Sequence, residues 1–333
     1  MAVLSGMTKT AREALVQVMD LRSADNVFIL ADNHSEVVAE AFARAAGREG
    51  CGVEMMLLSE SQRPLRDVPA DLQERLSGKT IVLNIFGSRS EEIFFRRQWI
   101  LTVEETQRIR LGHMPGITAA MLTGGAMSVD YPLMRANAER ILATLANADF
   151  LRVTSAAGTD FTVGVKGRSF ISDAPISVGR AGPLPCGEII CAPQEDRAVG
   201  ILIADASIGE VGKLQEPLTM LIRDGRIQRF WSTNSLLTEK VSQELAADTE
   251  AHVIGELGIG LNPAARVTGH VFEDTKAAGT AHVGFGKNIH FPGGQNRSAI
   301  HRDFVFFRPT IEIHYLSGPD RLLMRDGEWA FCD

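Results

Sequence analysis

Five side chains in the second half of the sequence, Glu188, Glu256, His282, His301 and Asp303, are of the types that bond divalent metal ions. Two imidazoles and three carboxylates can hold two ions about 3.5–4 Å apart, the spacing of two-metal hydrolases. Such a centre lowers the pKa of a bound water toward neutrality and polarises a carbonyl. Catalysis at a metal centre is therefore the chemistry to expect.

His301-Arg302-Asp303 lies in the strand-type run Ala299 to Phe307. Side chains alternate faces along a strand, so His301 and Asp303 project to one side and Arg302 to the other. A lone His-x-Asp is a weak signal. Its likeness to a kinase His-Arg-Asp triplet is empty, since no Asn follows at the required offset and neither a Gly-rich loop nor Asp-Phe-Gly accompanies it. Glu256 and His282 say more, because each opens the pattern ligand-x-Gly-x-Gly: Glu256-Leu257-Gly258-Ile259-Gly260 and His282-Val283-Gly284-Phe285-Gly286. On strands the glycines share the ligand's face, while Leu257, Ile259, Val283 and Phe285 face a core. Glycine inside a strand costs stability and marks a bulge or a close approach, so the two stretches predict space cleared beside a metal. The competing reading is a pair of glycine-rich turns. Glu188 follows Pro185-Cys186-Gly187 and opens the apolar run Ile189 to Ala192, a place where an isolated Glu is ordinarily solvated. Cys186 and Cys191 read as small buried hydrophobes. Neither Cys-x-x-Cys nor His-Glu-x-x-His zinc spacing occurs.

The elements that must position these groups divide in two. Over residues 1–147, Thr8 to Met19 and Ser35 to Ala46 carry apolar residues at helical spacing, and Val27 to Leu30, Val53 to Leu58 and Thr80 to Ile85 are apolar runs of strand length. This alternation predicts an α/β, Rossmann-like domain with a parallel sheet covered by helices. No Gly-x-Gly-x-x-Gly follows any of its strands, so a dinucleotide is not indicated. Over 148–333 come short strands at Leu151 to Val153, Phe161 to Val165, Glu188 to Ala192 and Val199 to Ile203. The runs Leu218 to Arg223 and Arg226 to Phe230 are joined by the hairpin signal Asp224-Gly225, and a helix follows over Ser235 to Ala247. The second domain is therefore a strand-rich α+β metal-binding domain.

Composition works by exclusion. With 34 basic against 41 acidic residues the net charge is −7, and no block of Lys or Arg stands out, so neither nucleic acid nor an anionic membrane is an expected partner. A small-molecule substrate fits better. No apolar run approaches the roughly 20 residues of a membrane span, and Met1 to Lys9 is unlike a signal peptide, which predicts a cytoplasmic protein. Cys51, Cys186, Cys191 and Cys332 are too scattered for a disulfide framework, in keeping with a reducing compartment.

Together, Leu184-Pro185-Cys186-Gly187-Glu188, Gly255 to Pro263, Gly279 to Gly286 and Gly293 to Asp303, with Gly158-Thr159-Asp160 upstream, resemble in order and spacing the thermophilic metallo-aminopeptidases of the aminopeptidase T type. The resemblance covers about Leu151 to Pro309. It implies a homodimer and a centre of two divalent ions, zinc, cobalt or manganese, on Glu188, Glu256, His282, His301 and Asp303. Glu188 or Glu256 would bridge the ions or take the water's proton. One departure matters. The family's catalytic tyrosine, seven residues after the histidine matching His282, is Ile289 here, and loss of such a donor typically costs on the order of 10²–10³ in rate. His290, next in line, is the candidate replacement, with Asn288 and Arg297 as further candidates to orient substrate.

The sequence is also similar to the iron-dependent 2,5-dihydroxypyridine 5,6-dioxygenases, which look like offshoots of the same fold with one Fe(II) on two histidines and a carboxylate. Their His-x-Asp resembles His301 and Asp303, their other histidine falls at Glu256, and the positions of Glu188 and His282 are not ligands. The expected function is thus a metal-dependent hydrolase of an amide or related C–N bond in a small molecule or short peptide. The alternative is a ring-cleaving Fe(II) dioxygenase of a hydroxylated N-heterocycle.

Overall fold

The computed structural model describes residues 2–330, and Cys332 lies outside them. Contacts divide the chain into two units, Met1–Arg135 with Asp173–Cys186, and Ala136–Ser172 with Gly187–Asp333.

The first unit is built on a five-stranded sheet in the order β2 (Gly52–Leu57), β1 (Asn26–Ala31), β3 (Ile81–Ile85), β4 (Arg110–His113) and β8 (Ala181–Pro183). Every pairing in it is parallel. Strands β1, β3 and β4 are buried almost throughout, as a parallel sheet with helices on its faces requires. The helix Glu36–Arg48 buries Val38, Ala41, Phe42 and Ala45, and Ile93–Glu105 buries Phe95, Trp99 and Val103. Phe95, Trp99 and Val103 share one apolar cluster with Phe28, Leu30, Val82, Phe86 and Leu111. This is the α/β domain with a parallel sheet that the alternation predicts. The first helix is longer than its periodic core suggests, running Ala2–Met19.

Just past the carboxyl ends of β1 and β3, where open α/β sheets ordinarily bind ligands, an internal ion network fills the position. Arg63 donates to Asp32 Oδ2 at 2.5 Å and to Glu92 Oε2 at 2.5 Å, and the Gly87 amide donates to Asp32 Oδ2 at 2.6 Å. All three charged side chains are fully buried.

The second unit carries two antiparallel sheets. The eight-stranded sheet runs β14 (Arg226–Trp231), β13 (Leu218–Arg223), β10 (Ala198–Ala204), β6 (Asp160–Gly164), β5 (Ala148–Thr154), β18 (Thr310–Tyr315), β19 (Arg321–Arg325), β20 (Glu328–Trp329). The seven-stranded sheet runs β12 (Gly212–Lys213), β11 (Ser207–Ile208), β17 (His301–Phe307), β16 (Thr280–Gly286), β15 (Ile254–Gly260), β9 (Glu188–Cys191), β7 (Ile171–Ser172). The Asp224-Gly225 hairpin is present, with φ of 50° and 68°, the paired positive values of a tight two-residue connection. The helix Ser235–Leu245 starts where Asn234 accepts from the Leu237 amide. Among the described residues no helix is long and apolar enough to cross a membrane.

Candidate metal centre

The seven-stranded sheet brings all five expected ligands together. Register fixes their rows: β15 pairs β16 with Glu256 opposite Gly284 and Gly258 opposite His282, β16 pairs β17 with Gly284 opposite Asp303, and β15 pairs β9 with Gly260 opposite Glu188. The opposite faces of these strands bury Leu257, Ile259, Val283, Phe285, Phe304 and Phe306 completely. Phe285 and Phe304 meet edge to face at 5.6 Å. That apolar side anchors the strands, and the polar side collects the ligands.

The five groups form two overlapping clusters, Glu188–Glu256–His282 and Glu256–His301–Asp303, with donor atoms in each within 4.8 Å of one another. Glu256 belongs to both. Its Oε1 lies 3.3 Å from His282 Nε2 and its Oε2 lies 2.9 Å from His301 Nε2. Asp303 Oδ1 lies 2.9 Å from His301 Nε2, so the i, i+2 alternation aims this pair as expected. Glu188 Oε2 lies 3.6 Å from His282 Nε2, and the residue is 5% exposed rather than solvated. His301 and Asp303 keep 19% and 17% of their side chains open while His282 has 1%, so the second cluster is the accessible one.

The glycines of the two ligand-x-Gly-x-Gly stretches make this crowding sterically allowed. A Cβ on Gly258 would stand 2.1 Å from His282 Cε1 and Nε2, and one on Gly284 would stand 2.7 Å from His301 Cε1 and 2.9 Å from Glu256 Cβ. A Cβ on Gly260 would come within 2.0 Å of the Ala277 carbonyl, and one on Gly286 within 2.3 Å of the Ile300 carbonyl. Two glycines seat imidazoles and two admit neighbouring backbone. The glycine-rich stretches are strands, and the reading of them as turns does not hold.

The donor set fits a divalent cation. His301 Nδ1 lies 2.7 Å from the Lys287 carbonyl, an acceptor, so Nδ1 carries a proton and Nε2 is the nitrogen turned to the carboxylates, donating to them here and able to offer its lone pair to an ion once that proton is lost. Nδ1 of His282 is buried without a hydrogen-bond partner among the described residues, so that ring is oriented by its seat on Gly258. Burial alone would push the Glu256 carboxyl up, but hydrogen bonds from His282 and His301, reinforced by their charge, hold it well below the usual range. Burial opposes charge on His301 too, and the Asp303 and Glu256 carboxylates reverse this and raise it. The cluster is held together by imidazole–carboxylate pairs, and a divalent ion would take the place of the protons that those pairs share.

Other expected participants fall differently. His290 is exposed, with its ring 5.8 Å from that of His301 and 4.0 Å from that of Phe291. Ile289, at the tyrosine position, is 40% exposed. Asn288 is fully buried, donating to Glu195 Oε1 at 3.0 Å and accepting from the Asn296 amide at 2.7 Å. It therefore braces the loop instead of facing a substrate. Arg297 is exposed, and its amide donates to Glu250 Oε2. Cys186 and Cys191 are buried, and burial pushes the Cys191 thiol up to about 12, which leaves it inert. One participant escapes sequence reasoning. Lys276, 4% exposed, places Nζ 2.6 Å from Glu188 Oε1, and its only signal is a lysine in an otherwise small and apolar turn, Lys276 to Gly279.

A family model described as NicX, 2,5-dihydroxypyridine 5,6-dioxygenase, matches residues 121–313, more than half of the chain. Curated proteins give no significant match. Among solved structures, 2,5-dihydroxypyridine dioxygenase from Pseudomonas putida KT2440 aligns with a TM-score of 0.73 at 18% identity, over 98% of this chain and 97% of that one. Wild-type AmpT from Thermus thermophilus aligns with a TM-score of 0.73 at 17% identity, over 98% and 99%. At such identities the two structures speak to fold alone, and they do so equally.

Proposed function

The chain belongs to the NicX family, 2,5-dihydroxypyridine 5,6-dioxygenase, and from that premise we propose a metal-dependent enzyme that opens the ring of a hydroxylated N-heterocycle, with its ion on Glu256, His301 and Asp303. The observation that carries this reading is the convergence of Glu256 Oε2 and Asp303 Oδ1 on His301 Nε2, each at 2.9 Å, on the accessible side of the cluster. Glu256, His301 and Asp303 would hold the ion as three protein ligands, the number that non-haem iron oxygenases use. Bound there, a ferrous ion would supply the redox chemistry. This chain's own residues do the rest. The Lys287 carbonyl holds the His301 ring in its ligating tautomer. His290, exposed beside His301, is placed to exchange a proton with a ring hydroxyl, and Phe291, whose ring lies 6.1 Å from that of His301, offers an apolar face to a planar substrate.

A second reading rests on a different observation. The set departs from two histidines and one carboxylate, since Glu256 stands where the resemblance puts the second histidine, and Glu256 is shared by two clusters. Three carboxylates suit zinc, cobalt or manganese, and a Glu256 bridging two such ions would support metal-activated hydrolysis of a C–N bond. Glu188 and Glu256 are then the candidate proton acceptors. Oxygen uptake separates the readings: the protein loaded anaerobically with Fe(II) and given 2,5-dihydroxypyridine should consume oxygen. Release of amine from small amides with two zinc, cobalt or manganese ions per chain, and no oxygen uptake with iron, would replace the first reading by the second.

A further inference from the structure

Glu188 sits at the start of β9 opposite Gly260 of β15. That glycine has a specific neighbour: a Cβ on it would lie 2.0 Å from the Ala277 carbonyl and 3.0 Å from the Lys276 carbonyl carbon. The bare position lets the turn after the short helix Val271–Asp274 press onto the strand. The turn is held from several sides. Asn262 donates its amide to the Lys276 carbonyl at 2.8 Å, the Lys276 amide donates to the Glu273 carbonyl at 3.0 Å, and Asp274 Oδ1 accepts from the Thr268 amide at 2.7 Å. A lysine delivered this way has little freedom, and its ammonium donates to Glu188 Oε1 at 2.6 Å and contacts Thr275 Oγ1 at 3.0 Å.

We propose that Lys276 is a positioning residue of the metal centre: it takes one oxygen of Glu188 and thereby aims the other, Oε2, at the space shared with His282 and Glu256. The geometry divides the carboxylate in this way, since Oε1 faces the ammonium and Oε2 faces His282 Nε2 at 3.6 Å. Ligating carboxylates are commonly held by such an outer partner, and removing one typically lowers metal affinity about 10–100-fold. Lys276 also supplies a positive charge to the buried Glu188 carboxylate, which a buried acidic group requires. The inference rests on the reading of this cluster as a metal site.

Affinity for Mn(II) and Zn(II), measured on the full chain by competition with a chromophoric chelator, tests it together with far-UV circular dichroism. Lys276→Met should bind about 10–100-fold more weakly, and Lys276→Met added to Glu188→Gln should cost little beyond Glu188→Gln alone, because the lysine acts through that carboxylate. Should Lys276→Met fail to fold, Thr275→Val, which loosens the ammonium, should show a smaller loss in the same direction. Unchanged affinity, or tighter binding with an added ion, in the folded variant would overturn the role of Lys276 while leaving the metal site standing. Wild-type protein that binds neither ion would overturn both.

Discussion

His301 lies in the volume that a side chain on Gly284 would occupy, with Cε1 2.7 Å and Nε2 2.8 Å from the position of the missing Cβ. Gly284 therefore seats the ring that the Lys287 carbonyl orients. Gly284→Ala should displace this imidazole and weaken metal binding by more than about tenfold while leaving the sheet intact, because Val283 and Phe285 on its other face still anchor the strand. Gly258→Ala should do the same to His282. Metal titration with circular dichroism checks both, and a Gly284→Ala protein that binds as tightly as wild type would refute the seating argument.

Glu256 and Glu188 should differ sharply in their tolerance of substitution. Glu256→Gln removes an anionic donor from both clusters, whereas Glu188→Gln touches one. Glu256→Gln is expected to abolish turnover and to lower metal content under each loading condition, with Glu188→Gln milder on both counts. Elemental analysis after desalting, beside an oxygen-electrode or amine-release assay, gives the ranking. An inverted order would move the functional centre to the Glu188–His282 side.

Much of this centre is legible in residue order because its logic is local. The two-residue alternation aims His301 and Asp303 together, and the repeated ligand-x-Gly-x-Gly pattern announces that something bulky lies over each glycine. What that something is depends on register. His282 covers Gly258, 24 positions earlier in sequence, and the backbone at Lys276 and Ala277 covers Gly260. Glu188 meets Gly260 across a strand pairing of 72 positions. No local pattern encodes such pairings, which is why Lys276 escapes notice and why Asn288 reads as a substrate group although Glu195 and Asn296 claim it. The α/β alternation likewise predicts the first unit's central strands, but not the return of Asp173–Cys186 to extend its sheet through β8.

Arg63 stands between Asp32 and Glu92 with no exposure on any of the three side chains. Burial works against both carboxylates, yet the Gly87 and Leu65 amides and the guanidinium hold each below its ordinary range. Arg63→Met would strand two buried charges, and breaking a buried ion pair from one side typically costs about 3–5 kcal/mol. Urea unfolding should show that loss as a lowered midpoint, with the metal affinity of any folded fraction unchanged. A shift below about 1 kcal/mol would mean that water reaches the network.

His113 makes the first unit sensitive to acid. Trp99 Nε1 donates to Asn84 Oδ1 at 2.8 Å, which fixes the amide so that its Nδ2 faces His113 Nδ1 at 3.0 Å. The ring nitrogen must therefore accept, and a proton there would break the contact. Burial, with a contribution from the Arg96 charge, pushes this imidazole down to about 3. In the unfolded chain it titrates near 6.5. Between those values the unfolded state binds a proton that the native state does not, so stability is complete above about pH 6.5 and falls as the pH drops toward 3, by up to about 1.4 kcal/mol per unit. His113→Gln cannot titrate and should flatten this dependence, whatever it costs at neutral pH. Denaturant unfolding of both proteins at pH 7, 5.5 and 4 measures the slopes directly, and parallel slopes would show that other groups carry the acid response.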